Sequence, residues 1–154
     1  MTAAPARTAE QRKKDTLHRL EHDVDAWVAT AGPDGGAPHL VPLSFVWDGA
    51  TLLIATPAQS PTGRNLVATG TARVGIGPTR DVVMIEGTVR AVTPEDLPEE
   101  DAEVFAGKTG FDPRRLATRY LYFNVTPRRV QAWREENELR GRELMRDGRW
   151  LLAD

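Results

Sequence analysis

The sequence predicts a mostly β protein, an antiparallel barrel or sandwich with a few peripheral helices. Its 154 residues include 13 glycines and 11 prolines, and such frequent breaks favour short strands and tight turns over a helix bundle. Between these breaks lie short runs in which apolar and polar residues alternate, as they do in half-buried strands. Six strands are predicted, over residues 24–31, 38–47, 51–56, 71–76, 82–92 and 121–133.

Turn sequences between these runs indicate antiparallel pairing. Residues 33–36 (Pro-Asp-Gly-Gly) and 48–49 (Asp-Gly) are typical of hairpin turns, and a further small hairpin is predicted around residues 147–148. Pro42 falls inside the second predicted strand. Because proline has no N–H to donate, we expect it at a sheet edge, at a bulge, or where a ligand binds the neighbouring backbone groups.

Three helices are predicted around the strands. The first begins at Thr8, the second covers residues 60–69 and ends before a glycine, and the third is acidic and covers residues 95–106. A chain of this length is expected to form one domain. We therefore expect a single domain over residues 16–154, preceded by a flexible N-terminal segment over residues 1–15.

Composition excludes several classes of function. Twenty basic and 22 acidic side chains leave a net charge of −2, and there is no cysteine. The charge argues against a nucleic-acid partner, and the lack of cysteine excludes disulfides, thiolate metal sites and cysteine nucleophiles. No apolar run approaches the length of a membrane span, and the polar N-terminus lacks the apolar stretch of a secretory signal. We expect a cytoplasmic protein with no membrane partner.

The start of the second helix is the most informative segment. Ser60 and Pro61 are typical of an N-cap and a first helical position. The free N–H groups of a helix start suit an anion such as phosphate. Thr62 adds a hydroxyl, Gly63 permits close approach of a ligand, and Arg64 offers a guanidinium. The alternative is that this segment only caps a helix, as many Ser-Pro sequences do.

Two further residues are candidates for ligand contact. Arg80 lies in a predicted turn, where it either reaches a ligand anion or pairs with Asp81 or another surface acid. Trp133 closes the last predicted strand. It either packs in the core or stacks on a flat ring.

The histidines do not form a recognisable catalytic or metal site. His18 and His22 share a helix face, but Arg19 stands where a zinc-protease motif has glutamate. A solvated helix face is the better interpretation, and His39 stands alone on a strand. We predict no metal site, and no catalytic acid, base or nucleophile can be assigned.

Taken in order, several segments resemble one known family. The resemblance extends over residues 17–133 and is carried by residues 38–49, 52–56, 64–66, 72–74, 83–89 and 127–133. These segments resemble the pyridoxamine 5′-phosphate oxidase-like proteins. The resemblance implies a six-stranded antiparallel split β-barrel of the FMN-binding type. It also implies a homodimer with a cleft between its subunits that binds FMN, or the deazaflavin coenzyme F420.

The resemblance also implies a set of cofactor-binding residues. The backbone of the second strand would line the flavin ring, Thr56 would contact the ribityl chain or phosphate, and the loop after it would hold the phosphate. Trp133 would lie near the ring or the dimer interface. The implied residues are Val41, Pro42, Leu43, Ser44, Thr56, Ser60, Thr62, Arg64, Asn65, Arg80 and Trp133.

One departure from the family pattern concerns the phosphate. Many relatives have a lysine three residues before the asparagine, and this chain has Thr62 there. The charge that faces the phosphate would then rest on Arg64, helped by Arg80.

These features lead to three functional hypotheses. The first is an FMN- or F420-dependent oxidoreductase that transfers a hydride or electrons to or from an unidentified small-molecule substrate, with the cofactor performing the chemistry. The second is a non-catalytic carrier, sensor or haem-related binder on the same scaffold. The third is a structural dimer with an empty cleft.

Overall fold

A curled antiparallel sheet forms the body of the protein, and three α-helices pack around it. The computed structural model describes residues 4–152. The helices are α1 (Ala9–His22), α2 (Pro61–Thr69) and α3 (Glu99–Thr109), with short 3-10 turns at Pro113–Arg115 and Glu136–Glu138. The strands are β1 (Asp25–Thr30), β2 (His39–Ser44), β3 (Val46–Trp47), β4 (Leu52–Pro57), β5 (Thr71–Ile76), β6 (Val82–Val92), β7 (Tyr120–Trp133), β8 (Glu143–Arg146) and β9 (Arg149–Trp150).

The sheet closes on itself through the chain rather than through hydrogen bonds. Its strands run in the order β2-β1-β5-β6-β7-β4-β3, and the β8–β9 hairpin adds to β7. Every pairing is antiparallel. β2 and β3 follow each other in the chain but lie at opposite ends of this order, so the chain itself joins the two sheet edges. This arrangement confirms the predicted split β-barrel.

The second predicted strand, residues 38–47, is not continuous. It breaks at Phe45, whose ring is fully buried in the core and whose N–H donates to the Val24 carbonyl at 2.8 Å. The chain then leaves β1 and continues as β3, which pairs with β4. The sheet therefore has more strands than the six predicted. The predicted hairpin at residues 147–148 is present as β8–β9.

The main core fills the barrel interior. Its buried residues alternate along β1, β4, β5, β6 and β7, and others come from α1, α2, β8 and the break between β2 and β3: Leu20, Ala26, Val28, Phe45, Leu52, Ile54, Leu66, Ala72, Val74, Ile76, Val83, Ile85, Phe123, Val125, Val130, Ala132, Leu144 and Met145. A smaller core lies on the outside of β4 and β7, where Phe105 of α3 packs edge-on against Tyr122 at a centroid distance of 5.6 Å.

The third helix begins and ends later than the sequence predicts. The Thr93 hydroxyl accepts a hydrogen bond from Asp96 N–H at 3.1 Å, so residues 93–97 form a turn. The helix begins only after Pro98 and continues through Gly107. It ends at Gly110, which adopts a left-handed conformation with φ 72°, as glycine does at many helix ends.

The segment over residues 1–15 was expected to be flexible, but residues 7–15 contact the barrel and Ala9–His22 form α1. Residues 1–3 of that segment lie outside the described residues. Arg7 Nη2 lies 2.8 Å from Oε1 of Glu138, and its Nη1 lies 3.0 Å from Asp15 Oδ2. Arg134 Nε lies 3.3 Å from Asp81 Oδ2 in the same cluster. We call these five residues the N-terminal clasp. Ionic contacts across 131 residues of sequence hold this segment on the barrel, and sequence composition does not reveal them.

Glu138 is the centre of the clasp. It is 1% exposed, and both of its carboxylate oxygens accept hydrogen bonds from Arg7. The hydrogen bonds from Arg7 hold the pKa of Glu138 at about 2, well below its ordinary range, despite the opposing effect of burial. The carboxylate is therefore ionised at neutral pH, as a buried acid is when it is fully paired.

Candidate functional site

The predicted start of α2 has the expected capping geometry. Ser60 is the N-cap, and its Oγ accepts from the Gly63 N–H at 3.0 Å and donates to the Pro57 carbonyl at 2.8 Å. Pro61 occupies the first turn, and the helix ends at Gly70 with φ 64°. These features confirm the predicted helix and place its N-terminus directly after β4.

The helix start offers fewer backbone donors to an anion than the sequence predicts. Pro61 has no N–H, the Ser60 side chain takes that of Gly63, and the Arg64 N–H donates to the Ser60 carbonyl at 2.9 Å. The Ser60 hydroxyl is itself committed to Pro57. Three of the expected contacts for a phosphate are therefore used within the protein.

Thr62 and Gly63 are both buried within the protein and are not exposed to a ligand. Thr62 is only 2% exposed, so it does not present the expected open hydroxyl. A Cβ on Gly63 would lie 2.4 Å from the Pro57 carbonyl oxygen and 2.9 Å from that of Ala58. The close approach that requires glycine here is made by the chain itself, not by a ligand.

Thr56 and Asn65 attach α2 to the barrel. Thr56 is buried, and its Oγ1 lies 3.3 Å from the Ser60 Oγ. Asn65 Nδ2 donates to the Thr30 Oγ1 at the end of β1, at 3.1 Å. These contacts fix the position and direction of the helix, so the residues after Ser60 are held rigidly.

Arg64 remains available for a ligand. Its side chain is exposed, and it makes no ion pair or side-chain hydrogen bond with any other residue between 4 and 152. The first turn of α2 contains no acidic residue. Because the N-terminal end of a helix carries partial positive charge, an unpaired guanidinium there favours a bound anion.

β2 is an edge strand, as Pro42 predicts. Its only partner in the described part of the sheet is β1, where Pro42 lies opposite Trp27. Val41 and Leu43 lie opposite the buried Val28 and Ala26 and are themselves partly buried. The other backbone edge of β2 is therefore open, as a ligand that bonds to backbone groups requires.

Ser44 ends this strand with its hydroxyl engaged. The Oγ donates to Asp25 Oδ1 at 2.7 Å, across the β1–β2 pair.

Arg80 and Trp133 lie at the far end of the sheet from α2. Trp133 is the last residue of β7, whereas Thr56 pairs with Leu121 at its beginning. Because a strand advances about 3.3 Å per residue, Trp133 lies up to about 40 Å along β7 from Leu121 and therefore from Thr56. Arg80 is exposed and pairs with Glu135 (Nε to Oε1, 3.3 Å), so the surface-acid alternative describes it, although with Glu135 rather than Asp81. Within one chain, Arg80 and Trp133 therefore do not lie near the other predicted cofactor-binding residues.

Sequence reasoning missed two arginines near the sheet surface. The Arg142 guanidinium carbon lies 5.7 Å from the centre of the Trp133 ring. Arg128 stands in a β-bulge of β7. The sequence itself indicates this bulge. Apolar residues on one face of a regular strand are two positions apart, whereas Pro127 and Val130 are three apart. Which groups the bulge faces depends on distant strands.

A row of apolar side chains crosses the outer face of the sheet. Trp27 lies between Pro42 and Gly75, and Gly75 lies beside Met84, so these side chains share one face. Trp27 is 53% exposed, Met84 37% and the nearby Leu40 59%. We call Trp27, Leu40, Pro42 and Met84 the outer patch.

The remaining candidates do not form a site. The His18 and His22 rings stack at 4.1 Å, and His22 Nδ1 lies 2.8 Å from the His18 carbonyl oxygen. Among residues 4–152, no group of three or more histidine, aspartate or glutamate side chains is arranged to hold a metal ion. None of the helices in this range is both long and apolar enough to cross a membrane.

Comparison with known proteins identifies the family. The family model described as pyridoxamine 5′-phosphate oxidase matches residues 16–134. The chain belongs to this family, which confirms the resemblance found in the sequence. A search of curated proteins finds no significant match.

Solved structures share the fold at low sequence identity. An F420 reductase is 19% identical with a TM-score of 0.59, covering 73% of this chain and 93% of its own. A Clostridium acetobutylicum protein related to general stress protein 26 is 14% identical with a TM-score of 0.63, covering 84% and 92%. A heme storage protein from Vibrio cholerae is 12% identical with a TM-score of 0.59, covering 78% and 92%.

Proposed function

We propose that this protein binds a phosphorylated flavin-type cofactor, FMN or F420, and uses it as an oxidoreductase acting on a small molecule. The observation that carries the proposal is Arg64, an exposed and unpaired guanidinium in the acid-free first turn of α2. Family membership supports a flavin-type cofactor. Because an F420 reductase has the same fold, F420 is proposed beside FMN.

The residues present fit such a cofactor, but with fewer contacts to its phosphate than the family resemblance implies. The open edge of β2 along Val41–Ser44 suits the polar rim of a flavin ring, and Arg64 suits its phosphate. Ser60 and Thr62 are committed or buried, so Arg64 carries most of the phosphate contact. A bound flavin or deazaflavin would itself supply the hydride or electron transfer. The chain would bind, orient and shield it.

The outer patch supports a homodimer. Three large exposed apolar side chains and Pro42 on one sheet face form the kind of surface that a partner covers. Two of these residues, Leu40 and Pro42, belong to β2, which is the proposed cofactor strand. Trp133 lies opposite Val82, two residues from Met84, and therefore on the same face. In a dimer built on this face, Trp133 of one copy approaches the cofactor strand of the other.

A single variant tests this assembly. Trp27→Glu places a charge in the centre of the outer patch, and we expect it to convert a dimer into a monomer in sedimentation velocity. A wild-type protein that sediments as a monomer at all concentrations contradicts the proposed homodimer.

Binding of the phosphate is tested by comparing two ligands that differ only there. FMN and riboflavin are titrated separately into the protein while flavin fluorescence is recorded, and F420 is titrated in parallel. We expect FMN to bind at least about tenfold more tightly than riboflavin, as a charge-assisted contact implies. Equal affinity for FMN and riboflavin, with no binding of F420, contradicts the proposed phosphate site.

Turnover separates the enzyme from a carrier. The loaded protein is mixed with reduced cofactor and a panel of small-molecule acceptors, and reoxidation is followed by absorbance. Reoxidation above the protein-free rate supports the oxidoreductase. Tight binding without turnover on the whole panel favours the carrier instead.

A further inference from the structure

A groove of about 510 Å³ crosses the outer face of β1, β5 and β6. This volume lies within the range of small-molecule sites. Its lining combines small residues such as Ala29 and Gly87 with a few polar ones, among them Thr30, Arg73, Glu86 and Arg128.

The groove adjoins the outer patch, because Ala29 of the groove lies opposite Leu40 and Glu86 of the groove is two residues from Met84. In the homodimer proposed above, the groove therefore opens beside the surface that the partner covers.

A β-bulge brings Arg128 into this groove. Glu86 lies opposite Arg129 and Gly87 lies opposite Pro127, so Arg128 is the extra residue of β7 and has no partner on β6. Bulges change the direction of a side chain locally and are frequent beside functional sites. The β8–β9 turn then supports the side chain, because a Cβ on Gly148 would lie 2.9 Å from Arg128 Nη1. The guanidinium thus rests against the glycine backbone.

The other arginines of this surface are neutralised, but Arg128 is not. Arg73 Nη2 lies 2.6 Å from Glu86 Oε1, and Arg129 Nε lies 2.8 Å from Glu143 Oε2. Arg128 has no carboxylate within ion-pair distance in the described part of the chain. Among the described residues, the groove lining therefore carries one uncompensated positive charge.

We propose that this groove binds a small organic anion, with Arg128 pairing with its carboxylate or phosphate and the small side chains receiving a flat apolar body. The groove does not include Arg64, but it is linked to α2 through Thr30, which lines the groove and accepts a hydrogen bond from Asn65. The groove is one strand away from the proposed cofactor strand, because β1 lines the groove and pairs with β2. If the proposed function holds, a ligand in the groove is a candidate second substrate. The binding itself does not depend on the cofactor.

Phenyl phosphate is a suitable probe because it joins one anion to one flat ring. It is titrated without cofactor into ¹⁵N-labelled protein, and amide shifts are followed by NMR. We expect the shifts to cluster at residues 71–73 and 86–88, with Arg128→Ala weakening binding at least about tenfold. The control Arg140→Ala removes an exposed arginine that lies outside the groove and has no acidic partner in the described part of the chain, and it changes the affinity less than about twofold. Benzyl alcohol, which lacks the charge, binds more weakly than phenyl phosphate.

Two results overturn the proposal. One is a set of shifts outside the groove, or an affinity that Arg128→Ala leaves unchanged while its spectrum shows a folded protein. The other is a loss of FMN affinity in Arg128→Ala as large as that in Arg64→Ala, because the groove is then part of the cofactor site. Because phenyl phosphate is measured without cofactor, failure of FMN to bind affects only the proposed function.

Discussion

The arginines of the N-terminal clasp and those of the outer surface have the same chemistry but opposite surroundings. Arg7 contacts Glu138 and Asp15, and Arg134 contacts Asp81. Arg64 and Arg128 are exposed and have no acidic partner among residues 4–152. A guanidinium that leaves water needs carboxylates around it, whereas one that stays at the surface does not. Arg7, whose side chain is 8% exposed, therefore stabilises the fold, and the unpaired arginines are free to bind ligands.

The strongest test of this contrast removes the central acid of the clasp. Glu138→Ala leaves Arg7 without its main partner in a buried position, and we expect the free energy of unfolding to fall by about 3–5 kcal/mol. Urea denaturation followed by circular dichroism measures it. The control is Glu95→Ala, which removes an exposed partner of Arg119 and leaves stability nearly unchanged. If both variants lower the free energy of unfolding by the same amount, the clasp does not stabilise the fold more than a surface ion pair does, which contradicts this account.

The same acid makes part of the stability depend on pH. Glu138 has a pKa of about 2 in the folded protein, against an ordinary value near 4.5. A lowered pKa means that its stabilisation is complete above the unfolded value and is lost as the pH falls from about 4.5 towards 2. The difference in unfolding free energy between wild type and Glu138→Gln should shrink across this range. A difference that stays constant down to pH 2 contradicts the assigned pKa.

A pair of glycine variants sharpens the description of α2. In Gly63→Ala the new methyl group meets the carbonyl oxygens of Pro57 and Ala58, and we expect a loss of about 1–3 kcal/mol. Gly107 lies in α3 with open space around it, so Gly107→Ala should stabilise the protein by about 0.4–1 kcal/mol. Thermal or urea unfolding of both variants measures the difference. A neutral Gly63→Ala means that the chain does not need glycine for its own packing there.

Local signals predicted much of the fold. The Asp-Gly and Pro-Asp-Gly-Gly turns, the edge position of Pro42 and the limits of α2 follow from properties of neighbouring residues. The break at Phe45 depends on a hydrogen bond to Val24 and on burial in the barrel. Such contacts form only when the whole sheet has closed, so the sequence could not locate the break.

The candidate site was predicted less completely. The structure places the exposed Arg64 side chain at a helix start, where the sequence predicts it, and its contact with a phosphate stays a prediction. The contacts expected of Ser60, Thr62 and Gly63 are made within the protein instead, because it uses the same polar groups to attach α2 to the end of β4. The clasp joins residues 131 positions apart, and the direction of Arg128 depends on the register of β6 and β7. Neither is encoded by local spacing.

The most direct test of the central claim combines one variant with two ligands. Arg64→Ala and the control Arg140→Ala are each titrated with FMN and with riboflavin. Binding of the phosphate by Arg64 predicts that Arg64→Ala weakens FMN binding by about 1–3 kcal/mol and leaves riboflavin binding unchanged, with no effect of Arg140→Ala on either ligand. An unchanged FMN affinity, or an equal loss for FMN and riboflavin, would contradict it.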